Sequence, residues 1–84
     1  MSLLPPALPL DLTEEEKLCG FALTEESSGM RAVVRELPAG LRAVKVQAAD
    51  GGVEYAVCDQ QLQPLYAPAK TLVELRKRFG RPPP

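Results

Sequence analysis

Between residues 30 and 58 apolar and polar side chains alternate with the period of two that an extended strand imposes. Val44, Val46 and Ala48 fall on one side of a strand, with Ala43, Lys45 and Gln47 on the other. Val53, Tyr55 and Val57 alternate in the same way with Glu54, Ala56 and Cys58. The run MRAVVREL sorts into an apolar face, Met30, Ala32 and Val34, and a more basic one, Arg31, Val33 and Arg35. Turn residues separate the runs. Pro38 fixes φ and Gly40 tolerates a positive φ, while Asp50-Gly51 is the strongest local hairpin signal in the chain. Three strands joined by such short turns predict an antiparallel meander. A fourth strand is predicted in LQPLYAP, at a sheet edge because Pro64 has no N–H to donate to a ladder.

Helix signals flank the strands. Thr13 and Glu16 have capping-box spacing, and Glu14, Glu15 and Glu16 suit the positive end of a helix dipole. Gly20 soon interrupts, so the expected helix runs from about Thr13 to Cys19, and FALTEE after it leans toward strand. Near the other end Thr71 and Glu74 repeat the capping spacing. Leu72, Leu75 and Phe79 form a core-facing stripe, and Gly80 with the prolines beyond Arg81 ends the helix. The fold class is therefore α+β: a short N-terminal helix, a three- to four-stranded antiparallel meander sheet, and a C-terminal helix packed on one face. The expected core is Leu18, Phe21, Met30, Ala32, Val34, Val44, Val46, Val53, Tyr55, Val57, Leu72, Leu75 and Phe79. Residues 1–10 read as a Pro-rich extended arm, 11–80 as one small domain and 81–84 as a Pro-rich tail.

Composition narrows the function classes. A domain drawn from 84 residues has little interior to give up to a deep cleft. The net charge is −1, but residues 11–26 are acidic and residues 70–84 basic, so the chain is a dipole rather than a polycation. Nucleic-acid binders usually carry a clear positive excess. Two widely spaced cysteines, Cys19 and Cys58, make no disulfide framework and are expected to be reduced, as in the cytoplasm. The apolar start lacks a basic leader and is broken by Pro5, Pro6 and Pro9, and no segment has the length of a membrane span. Richness in Ala, Leu, Arg and Pro suggests a bacterial, GC-rich gene.

Candidate chemistry is sparse. The chain has no histidine, the commonest general base near neutral pH and the commonest zinc ligand. Its adjacent glutamates lack the apolar pocket that raises a catalytic carboxyl pKa, and Cys58 has acidic neighbours in sequence rather than the cations that would activate it. The sequence is read as non-enzymatic, with no cofactor, metal or small-molecule substrate. What remains is binding. Arg31, Arg35 and Lys45 are expected on an open sheet face, and Arg76, Lys77 and Arg78 at the end of the last helix, as anion or partner contacts. Leu62, Leu65 and Tyr66 are the candidate hydrophobic partner contacts. The expectation is a protein-interaction or accessory module, acting through a protein partner or as a homodimer. The alternative is a nucleic-acid-binding protein that uses the basic helix end and the sheet arginines.

Overall fold

A computed structural model of the chain describes residues 8–25 and 29–80. Its elements, in order, are α1 (Glu14–Leu18), β1 (Ala22–Glu25), β2 (Arg31–Glu36), a 3-10 turn (Pro38–Gly40), β3 (Arg42–Gln47), β4 (Val53–Cys58), β5 (Pro64–Ala69) and α2 (Leu72–Phe79). The strands form one sheet, five across, in sequence order and antiparallel throughout. The α+β meander with a helix at each end is as the pattern predicts, with five strands in place of three or four. The added strand is the weakly signalled β1, which sets Leu23 opposite Val33. The Pro-containing β5 lies at the sheet edge, and its pairing with β4 is irregular. Most of the arm expected over residues 1–10, and the tail at 81–84, lie outside the described residues.

The helix ends follow the capping logic. Thr13 Oγ1 accepts from the Glu16 N–H at 3.2 Å, and Glu16 Oε1 accepts from the Thr13 N–H at 3.0 Å, a complete capping box. At α2 the Thr71 hydroxyl accepts from the Glu74 N–H, but the Glu74 carboxylate accepts from the Lys70 N–H, one residue short of a reciprocal box. Gly80 ends the helix at φ 77°, ψ −169°, a conformation open essentially to glycine alone.

The sheet packs on both faces. One face carries Val33, Ala43, Tyr55 and Val57 beneath Phe21, Leu75 and the half-buried Leu72 and Phe79. The other carries Ala32, Val34, Val44, Val46, Ala56 and Cys58, with Leu62 closing over them and Leu8 and Met30 packed against them. A one-sided sheet with an open basic face is therefore corrected. α2 and the residues flanking α1, Leu12 and Cys19, contribute to the cluster on the face that holds Val33 and Tyr55, which is also the face of Arg35 and Lys45. Two expected core residues lie outside it: Leu18 and Val53 are exposed. Cys19 and Cys58 belong to opposite faces, so the sheet itself separates the two free thiols.

Candidate interaction surface

α1 is too short to be stable by itself, since a helix of about 12 residues is already marginal in water. It is held by Glu16. This side chain turns inward, and both carboxylate oxygens find donors beneath it. Lys45 Nζ donates to Oε1 at 3.0 Å and the Tyr55 hydroxyl donates to Oε2 at 2.8 Å. Lys45 and Tyr55 can converge because the β3–β4 register sets them directly opposite each other. Lys45 Nζ also donates to the Asp11 carbonyl oxygen at 2.7 Å, which ties down the chain leading into the helix. Burial alone would push the Glu16 carboxyl up. The Thr13 N–H, Lys45 and Tyr55 outweigh it and hold the group below its ordinary pKa. Burial and the adjacent Glu16 charge push the Tyr55 phenol up, so it stays a proton donor.

Arg35 holds the end of α2. It is 2 % exposed, and its Nη2 donates to the Gly80 carbonyl oxygen at 2.8 Å, where the helix has run out of partners. Its Nε and Nη1 are buried with no hydrogen-bond partner among the described residues. Burial, with the nearby Arg76, lowers its pKa. Arg78 is tied sideways to β5 and along the helix, donating to the Ala67 carbonyl oxygen and to Glu74.

Fixing the inner faces of the two helices determines their outer ones. Successive helical residues are about 100° apart, so Glu16 pointing in turns Leu18 out, and Leu75 pointing in turns Val73 out. Leu18 is 82 % exposed and Val73 61 % exposed. They stand on either side of a shallow groove between α1 and α2, which Leu72, Cys19, Glu15 and Arg76 also line. Arg76 and Lys77 also lie beside Val73 and Gly80. Glu14 pairs with Lys17 at 3.2 Å and Arg78 with Glu74 at 3.3 Å. Among the described residues Glu15, Arg76 and Lys77 take part in no ion pair. Among the described residues the groove thus combines apolar side chains with an unpaired acid from α1 and unpaired bases from α2.

The candidate residues read from the sequence are thus dispersed. Arg35 and Lys45 are internal struts rather than surface cations, while Arg31 is exposed on β2. Arg76, Lys77 and Arg78 are exposed on α2. Leu65 and Tyr66 are exposed on the edge strand β5, and Leu62 is buried in the second core. Leu62 enters that core from a left-handed backbone at φ 64°, in a turn where the Asp59 carboxylate accepts from the Gln61 and Gln63 N–H groups. The groove residues Leu18 and Val73 were not among the candidates. The signal that would have found them is the inward role of the capping-box glutamate, which fixes the rotation of α1.

Among the described residues no three His, Cys, Asp or Glu side chains gather as a metal-ligand set, and no helix is long and apolar enough to cross a membrane. Comparison with protein-family models, with curated proteins and with solved structures finds no match to this chain.

Proposed function

We propose that this chain is a non-enzymatic protein-interaction module whose docking surface is the groove between α1 and α2. The observation that supports this most strongly is the pairing of Leu18, 82 % exposed, with Val73, 61 % exposed, on helices whose orientation is fixed from below. A single exposed leucine is ordinary, but adjacent apolar residues rimmed by charge are what an interaction site presents. Covering such a side chain contributes on the order of 1.5–3 kcal/mol. The Glu16–Lys45–Tyr55 lock keeps α1 in place, so little ordering is left to oppose docking. A cytoplasmic setting suits the two free thiols. The nucleic-acid reading loses support, because Arg35 and Lys45 are spent inside the domain and leave too few cations in one place to track a phosphate backbone.

Photo-crosslinking tests the surface. A benzophenone amino acid at position 18 is expected to give a discrete adduct with a second polypeptide in the producing cell, and V73D should abolish it. The same probe at Gln47, exposed at the far end of β3, should give none. Equal labelling from both positions, or no adduct from position 18, contradicts the assignment.

A further inference from the structure

We infer that the occupant of the α1–α2 groove is a second copy of this chain, docked face to face about a two-fold axis that runs along the groove. This rests on the groove being a docking surface and adds the identity of the partner. The reason is charge complementarity. Glu15 lines the groove from α1 and Arg76 from α2, with Lys77 next to Arg76 on the same helix. None of the three is ion-paired among the described residues. A two-fold axis lying in the interface along the groove exchanges its two walls. The α1 wall of each copy, with Glu15 and Leu18, then faces the α2 wall of the other, with Arg76 and Val73. An isologous contact makes every pairing twice, so Glu15 to Arg76 occurs at both ends of the interface. A partner of unrelated sequence would have to supply both the reversed charges and the apolar side chains; this chain already carries both on the same groove. The groove is small, so the dimer is at the weak end of specific interfaces and forms reversibly.

Sedimentation velocity of the full chain at low salt, over roughly ten micromolar to one millimolar, tests this with wild type, L18D, E15R, R76E and the double exchange E15R/R76E. All three sites are exposed in the single chain, so circular dichroism is expected to show each variant folded. The wild type should pass from monomer to dimer with concentration. Each single charge reversal places like charges together twice and should weaken association about tenfold or more. E15R/R76E restores opposite charges at both contacts and should return association close to wild type, which no unrelated partner site would require. L18D should remain monomeric. A wild type that stays monomeric throughout, single reversals that associate as well as wild type, or a double exchange no better than either single variant overturns the inference. If the wild type is monomeric while a position-18 crosslink still captures a different polypeptide, the second copy is ruled out and the docking surface stands. With neither self-association nor adduct, both fall.

Discussion

Lys45 and Arg35 are equally buried, at 2 % exposure each, yet their surroundings differ in kind. Lys45 has Glu16 and the Asp11 carbonyl oxygen as acceptors, whereas Arg35 makes one bond to the Gly80 carbonyl oxygen and leaves two donors without partners among the described residues. Removing Lys45 strands a buried carboxylate, so K45M should destabilise the fold by about 3 kcal/mol or more, a large share of what so small a domain has. Removing Arg35 also removes two unsatisfied donors, so R35M should change stability by no more than about 1 kcal/mol. Urea unfolding of the two variants checks the contrast; equal losses would contradict it. The pH dependence follows from the same lock. Glu16 has a folded pKa below its unfolded value of 4.5, so its contribution is present above that value and lost as pH falls through the folded pKa. Wild type should lose stability as pH falls below 4.5, and E16Q, already weaker at neutral pH, should lose distinctly less over the same fall.

At the level of elements, the parts legible in the sequence were those governed by local chemistry. Thr13 with Glu16, Asp50-Gly51, Pro64 at an edge and Gly80 after Phe79 each act through their own backbone neighbourhood, and each does what its residue type requires. The side of each strand that meets the helices was not legible, because alternation defines two faces and does not rank them. With Val, Ala and Cys on both sides of β2, β3 and β4, both faces are buried. The charges on Arg35 and Lys45 made the helix face look like the solvent face, and only the helix carbonyl and the inward glutamate explain their burial. Leu18 was misread for the same reason, since the helix is too short for its own pattern to fix a rotation. The local signals give direct expectations. G80A forces a side chain into a glycine-only backbone region and should cost about 1–3 kcal/mol, while T71A, which loses one capping bond, should cost about 1 kcal/mol. Thermal unfolding distinguishes them; a harmless G80A would mean that α2 does not end as described.

Across the whole molecule the charge dipole in the sequence becomes a feature of one surface. The acidic and basic ends of the chain are far apart in sequence, yet α1 and α2 form the two walls of a single groove. That juxtaposition puts the Arg76 of the basic helix end in the same groove as Glu15, as the proposed self-association requires. The chain should therefore show no salt-dependent binding to mixed single- or double-stranded nucleic acid at low ionic strength, as read by fluorescence anisotropy. Self-association of two copies through the α1–α2 groove is tested most directly by concentration-dependent amide chemical shifts. Amides of Glu15, Leu18, Cys19, Val73, Arg76 and Lys77 should shift together as the protein is concentrated, while those around Leu65 and Tyr66 on β5 stay fixed. Shifts confined to β5, or none at any concentration, would contradict it.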